Sequence, residues 1–320
     1  MAQKESTNNI TVNGLLVDHD IAVKNLTIKG EQKNVLTGKA TIRVADGSEV
    51  EVSYFVNPTK KDGTANKNFT DLQTTLTNAK TVKNFGEQAD YVKIGGGSIG
   101  IQDYPSKDRT EMKSYNDEKA SFLNVLTEKE KEQLPMEAKF EVEGIIHKVS
   151  PELVKEQPTG NYKIILHVLG YQGTIVPVTL TVMQDLVQGF MTAGYVEGMF
   201  ATFFGKIVNT SEETTETIQV AFGEPQVRTY TTTTRRLQIT GGKSPKNPME
   251  EGVDFNEYKQ ALGKREAMLT QKLEEAKKNQ TASQNGFPTG GTATPNANGT
   301  AAPNPFANGA AGGFNPFQPQ

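Results

Sequence analysis

The chain has 320 residues, 34 Lys and Arg against 37 Asp and Glu, a formal charge of −3, and no cysteine. Without cysteine there are no disulfides, thiolate–metal sites or cysteine nucleophiles. The charge balance excludes a uniformly cationic surface, although not a basic groove on an acidic body. The start, Met-Ala-Gln-Lys-Glu-Ser-Thr, lacks the apolar run of a signal peptide, and no stretch approaches the ~20 apolar residues of a membrane span, so the expected compartment is the cytoplasm.

In chain order, residues 10–17, ITVNGLLV, alternate apolar with polar and reach Gly14. Thr37-Gly38 opens an alternating hairpin, KATIRVADGSEVEVSYFV, turning at Asp46-Gly47. Period-2 alternation on both sides of a Gly turn predicts two antiparallel strands. Asp71-Leu72 starts a short helical stretch, and ADYVKI at 89–94 is a further strand. The segment 127–136, TEKEKEQLPM, has Thr127 as N-cap and Pro135 near its end, which predicts a helical linker. The pattern then repeats. FEVEGII reaches Gly144, Thr159-Gly160 opens NYKIILHVLGYQGTIVPVTLTV, Asp185-Leu186 starts a helix, and GMFATFFGKIV at 198–208 is a strand.

The order in each half is strand, hairpin, short helix, strand, with later strand-like material to close. That is the order of a five-stranded OB barrel, whose long first strand curls at a Gly or bulge. The expected fold is therefore all-β dominated: two tandem five-stranded OB-like barrels at 1–126 and 137–248, joined by the linker 127–136. An amphipathic helix at 249–278 follows, with Phe255, Tyr258, Leu262, Leu269, Leu273 and Ala276 mostly three or four apart. A pair of β-sandwiches would also suit the Thr-rich strands. From Asn279 to Gln320 there is no charge, and Phe287, Phe306, Phe314 and Phe317 are the only large apolar side chains. Four isolated rings bury too little surface to offset the ordering entropy, so this tail is expected to be disordered.

Enzyme signatures fail on inspection. Gly95-x-Gly97-x-x-Gly100 follows a strand, but Ile-Gln-Asp-Tyr-Pro after it cannot start the helix that a dinucleotide site needs, so a flexible loop is expected. Gly242-Lys243-Ser244 has Leu237 where a phosphate loop needs Gly. Asp18-His19-Asp20 splays its side chains along the chain and reads as a surface turn. No Ser or Cys pattern accompanies His147 or His167. The expectation is a non-enzyme with no cofactor and no metal.

Strand parity separates core from surface. With Ile42, Val44, Val50, Val52, Tyr54 and Val56 inward, Arg43 and Phe55 face out, as do Tyr91 and Lys93 on the next strand. The intervening loop carries Lys60, Lys61 and Lys67. In the second barrel Lys163 and His167 face out, and Phe200, Phe204 and Lys206 are placed outward. The stretch 226–247 holds Arg228, Tyr230, Arg235 and Arg236 and no acid. Rings interleaved with cations on an OB surface suit a single-stranded nucleic acid, with bases stacked and phosphates tracked.

With these features the chain resembles single-stranded DNA-binding proteins of bacteria and their phages. They couple OB domains to a Gly/Pro/Asn/Gln-rich tail whose Pro-Phe tip recruits replication and repair proteins. Pro316-Phe317 matches that tip and Pro305-Phe306 is a second copy; the family's acidic residues before the tip are absent here. The resemblance implies sequence-independent binding and protection of single-stranded DNA in replication, recombination or repair. It also implies a phage origin, tail-borne protein partners and no membrane, and it allows a homo-oligomer. The alternative expectation is a β-rich virion protein with a disordered arm.

Overall fold

The computed structural model describes residues 5–284 apart from 29, 46, 219–221 and 223–225, and excludes the side chains of Gln172, Glu212, Thr217 and 279–284. The first half contains β1 (Asn8–His19), β2 (Ala22–Ile28), β3 (Glu31–Arg43), β4 (Glu49–Val56), α1 (Lys67–Asn78), α2 (Val82–Phe85), β5 (Tyr91–Gly95), β6 (Ser98–Pro105), β7 (Met112–Ala120) and β8 (Phe122–Val125). After α3 (Glu128–Gln133) come β9 (Glu137–Val154), β10 (Gln157–Gly170), β11 (Thr174–Val182), α4 (Gln184–Thr192), β12 (Phe200–Ile218), β13 (Gln226–Lys246) and α5 (Phe255–Gln284).

The expected β-dominated fold is found, and the barrels close. In the first, β1 pairs antiparallel with β3, β3 with β4, and β4 runs parallel to β7. Past Ser121 the strand resumes as β8, which pairs with β5, and β5 returns to β1. The second ring is the same: β9–β10–β11, a parallel step to β13, then β12 and back to β9. In both, strands one, two, three, five and four follow one another around the ring.

The two glycines that sequence reading placed mid-strand explain how the first strand serves two partners. A Cβ at Gly14 would lie 2.1 Å from the Arg43 carbonyl oxygen, and one at Gly144 would lie 2.3 Å from that of His167. Each first strand thus crosses its second strand closer than any side chain permits. The turn at Gly95–Gly100 corrects an expectation. It is packed, not flexible: a Cβ at Gly95 would fall inside the Phe122 ring, and one at Gly97 would meet the Ile10 carbonyl oxygen at 2.6 Å.

Three excursions leave the rings. β2 hairpins onto β3, β6 and β7 form an arm of the first barrel, and the far parts of β12 and β13 form a two-stranded ribbon. β1 also pairs with β9, Asn8–Asn13 against Glu137–Val142, so both barrels share one 13-stranded sheet. One continuous core runs through them, from Leu16, Ile42 and Tyr54 to Ile164, Leu180 and Phe203. Both barrels accordingly belong to one compact unit that ends at Lys277. The expected linker helix is α3, where Glu130 reaches back to accept the Thr127 amide at 2.8 Å.

α5 packs on the second barrel, as its apolar spacing predicts, and runs to Gln284 instead of stopping at 278. Val253, Tyr258 and Ala261 cover Ile145, Leu169, Ile175 and Phe200 in a second apolar cluster. Further along, Arg265 donates to Asp103 on the β6–β7 arm at 2.8 Å, with Lys272 3.7 Å away. Burial pushes the Asp103 carboxyl up, but hydrogen bonds from Ser114 and Arg265 and the charges of Arg265 and Lys272 outweigh it and hold it below the usual range. Among the described residues, no helix is long and apolar enough to cross a membrane. The second unit, Lys278–Gln320, is described only where α5 ends. The Pro-Phe pairs at 305–306 and 316–317 lie outside the described residues.

Candidate nucleic-acid interface

In the first barrel, alternation sends Thr37, Lys39, Thr41 and Arg43 of β3 outward, opposite Phe55, Ser53, Glu51 and Glu49 of β4. The β6–β7 arm rises beside this face and encloses a cleft of about 590 Å³ with it. Lys39, Ser53, Phe55, Gln102, Asp117 and Lys119 supply its chemistry. Phe55 is 54% exposed, a bare ring on a polar wall. Asp117 is only 4% exposed and accepts from Ser53 Oγ at 2.8 Å and Gln102 Nε2 at 3.0 Å. Lys39 Nζ donates to Glu51 at 2.9 Å, and that hydrogen bond raises its pKa. Lys119 lies across Gly100 and has no ionic partner among the described residues.

Two further clefts continue the face. One, of about 600 Å³, lies between Glu49 and Glu51 of β4 and Asn209, Ser211, Thr233 and Arg235 of the ribbon. The other, of about 370 Å³, lies at the seam of the barrels, where Tyr115 and Asn116 of the arm meet Lys163, Arg235 and Arg236. Asn116 pins that seam, donating to the Pro177 carbonyl at 2.9 Å and accepting the Thr179 amide at 2.8 Å. Tyr115 is exposed and packs edge-on against Tyr104 at 5.9 Å. Arg235 pairs with Glu118, while Arg236 and Lys163 lie 3.9 Å and 3.5 Å from Glu152. Both glutamates are buried. Burial raises the Glu152 pKa, and hydrogen bonds from Asn161 and Thr159 with the nearby Arg236 and Lys163 charges bring it below the ordinary value. The face therefore pairs most of its cations with acids, and among the described residues only Lys119 of its cations has no ion-pair partner.

The structure brings Phe55, Lys163, Arg235 and Arg236 to this face, with Arg43 at its edge bound to Glu49 at 2.6 Å. Lys60 and Lys61 are exposed on the loop after β4, Lys61 lying 5.0 Å over the Tyr171 ring, and Lys67 is exposed at the start of α1, 3.9 Å from Asp71. Phe204 and Lys206 are exposed on β12, and Lys93 is half-buried on β5.

Three outward assignments are corrected. Tyr91 does leave the barrel interior but is buried beneath the linker, its hydroxyl donating to the Leu134 carbonyl at 2.9 Å. Phe200 is buried in the α5 cluster. His167 is buried between His147, stacked at 4.1 Å, and the Tyr258 hydroxyl, 2.8 Å from its Nδ1. Burial, with the His147 and Arg265 charges, pushes the His167 pKa down to about 4. The reason is common to all three: parity tells a side chain leaving the barrel from one entering it, and cannot show that another layer covers the outside.

The basic stretch 226–247 is corrected in another way. β13 is free of acids, but its partner β12 is not. Arg228 lies opposite Glu216, Tyr230 opposite Thr214, and Thr231 opposite Glu213. The acids of β12 thus lie across the ladder from β13, so the ribbon is not acid-free. Sequence reading also missed Lys39, Lys119, Gln102, Asp117 and Tyr115. Lys39 shares the parity of Arg43 and could have been found; the others lie on an arm whose polar strands carry no hydrophobic alternation.

The sequence profile of the YorF family matches residues 6–280, and the chain belongs to that family. No curated protein matches it. Among solved structures, the wild-type single-stranded DNA binding protein from Thermus aquaticus is similar at a TM-score of 0.38 and 12% identity, over 76% of this chain and 95% of that one. A deletion mutant of the same protein is similar at a TM-score of 0.37 and 12% identity, over 75% and 95%.

Proposed function

We propose that this YorF-family protein is a non-enzymatic coat for single-stranded DNA in replication or recombination, gripping the strand on the open face of its first barrel. The observation that carries the reading is the conjunction at that face: an OB ring, a polar trough continued across the seam, and the exposed rings of Phe55 and Tyr115. Unstacked bases can lie on such rings, each worth ~1–3 kcal/mol, whereas duplex bases are already stacked on one another. Lys119 and the paired cations of the seam lie within reach of the phosphates. Because most of those cations already neutralise an acid, few counterions are released on binding, and affinity should fall only gently with salt.

Titrating the protein with fluorescent oligo(dT) and with a duplex of equal length, each at two salt concentrations, tests this. Tight binding of the single strand and weak binding of the duplex is the expected result. Equal affinity for both, or for neither at low salt, rejects it. The uncharged tail would recruit other proteins through Pro305-Phe306 and Pro316-Phe317, two weak sites that raise each other's effective concentration. Replacing Phe306 and Phe317 by Ala should then remove partners from a host pull-down and leave the oligo(dT) titration unchanged.

A further inference from the structure

Asp117 sits on the floor of the first-barrel cleft, and a carboxylate there is at odds with a surface that only follows phosphates. It is nearly fully buried, yet it lines the cleft and, among the described residues, accepts two hydrogen bonds, from Ser53 Oγ at 2.8 Å and Gln102 Nε2 at 3.0 Å. An ionised carboxylate has about four such sites, so two remain for a donor brought into the cleft. Lys119, two residues along the same strand, brings an ammonium group with no ionic partner of its own among the described residues. The cleft thus holds an unsaturated acceptor and a cationic donor, with the exposed ring of Phe55 also in its lining. At about 590 Å³ it has room for a nucleotide, and its walls at Gly38, Gly96 and Ser98 carry little side chain.

We infer that this cleft reads the edge of one unstacked base, favouring a base that offers an exocyclic amino donor beside ring acceptors. Cytosine has that edge: its N4 amino group suits the Asp117 carboxylate, and its N3 and O2 suit Lys119. Thymine presents a carbonyl oxygen where cytosine has the amino group, and a carbonyl facing a buried carboxylate is repelled. The inference rests on the proposed single-strand binding and adds a graded base preference at one subsite. A side-chain contact to a base edge discriminates by roughly fivefold or more.

The test compares oligo(dC), oligo(dT) and an oligomer of N4,N4-dimethyldeoxycytidine, equal in length, at mildly alkaline pH with the full chain. The expected result is roughly fivefold tighter binding of oligo(dC) than of the dimethylated oligomer, which stacks alike but lacks the donor. Asp117→Asn, close in shape, should abolish that difference. Equal binding of oligo(dC) and its dimethylated form by the unaltered protein overturns the base-reading cleft while leaving single-strand binding intact. That comparison needs no variant to fold. Failure to bind any oligomer would reject the function itself.

Discussion

The two barrels close through the same ring, yet their second and third strands face different surroundings. On β3 and β4 the outward positions are Thr37, Lys39, Thr41, Arg43, Glu49, Glu51, Ser53 and the single ring of Phe55, and the face stays open. On β10 and β11 they include His167, Leu169 and Ile175, and α5 lies over them. An outward apolar face must be covered, whereas a polar one can remain in water. Repetition of topology has not repeated the surface, and function follows the surface. On the proposed reading the first barrel is left to bind, while the second anchors the helix that also holds the β6–β7 arm.

The largest effects should come from uncovering the second barrel. Tyr258→Ala removes a buried ring and the partner of His167, and should cost about 4 kcal/mol in denaturant unfolding, with oligo(dT) affinity unchanged under native conditions. A folded Tyr258→Ala protein that no longer binds would mean that the second face is a contact, and the comparison would break. Next, Arg235→Ala leaves Glu118 buried and unpaired, at about 3 kcal/mol, and the Arg235→Ala, Glu118→Gln double variant should recover much of it. A double variant no more stable than Arg235→Ala would show that the ion pair does not hold the seam.

Acid should expose the same asymmetry. His167 is held neutral in the folded state, its pKa down at about 4 against an ordinary 6.5. Its contribution is complete above pH 6.5 and disappears as pH falls toward 4, because the unfolded chain takes up the proton first. At 1.4 kcal/mol per pH unit the loss is on the order of 3 kcal/mol. Unfolding free energies measured across that range should show the slope, and His167→Gln should flatten it. A slope unaltered by that substitution assigns the acid sensitivity elsewhere.

Much of the architecture could be read from the sequence because it is local. Glycines 14 and 144 lie within their strands and the capped linker lies at α3, each where expected, whereas the Thr-Gly pairs fall inside β3 and β10 and do not open them. The site was read less well because it is assembled from distant pieces. The β6–β7 arm carries Asp103, Tyr115, Asp117 and Lys119 on strands too polar to show a core-facing alternation. Arg228 seemed to lie in an acid-free stretch, because Glu216 is twelve positions away in sequence and directly opposite in register. His167 and Phe200 leave the barrel as parity requires and then meet α5, whose position no strand pattern encodes.

On the open side, Phe55→Ala should weaken oligo(dT) binding by about 1–3 kcal/mol, roughly 5- to 150-fold, with the thermal midpoint unmoved because the ring is half in water. Parallel titrations and melting curves check both parts. A shifted midpoint with unchanged affinity would make Phe55 a packing residue and leave the trough without its main stacking platform.

The smallest effects distinguish a bare cation from a neutralised one, in two lysine and arginine variants that remove the same formal charge. Lys119 has no ion-pair partner among the described residues, so a phosphate there should displace a counterion; Lys119→Ala should lower the slope of log affinity against log salt by about one. Arg228 stands across the ladder from Glu216 on the ribbon, and its removal should change the slope by almost nothing. Both side chains are away from the core, so neither variant should unfold. Titrations of oligo(dT) over a salt series give both slopes. If Arg228→Ala lowers the slope as much as Lys119→Ala does, the ribbon carries phosphate despite its acidic partner strand, and the strand's path must extend from the first barrel along β13.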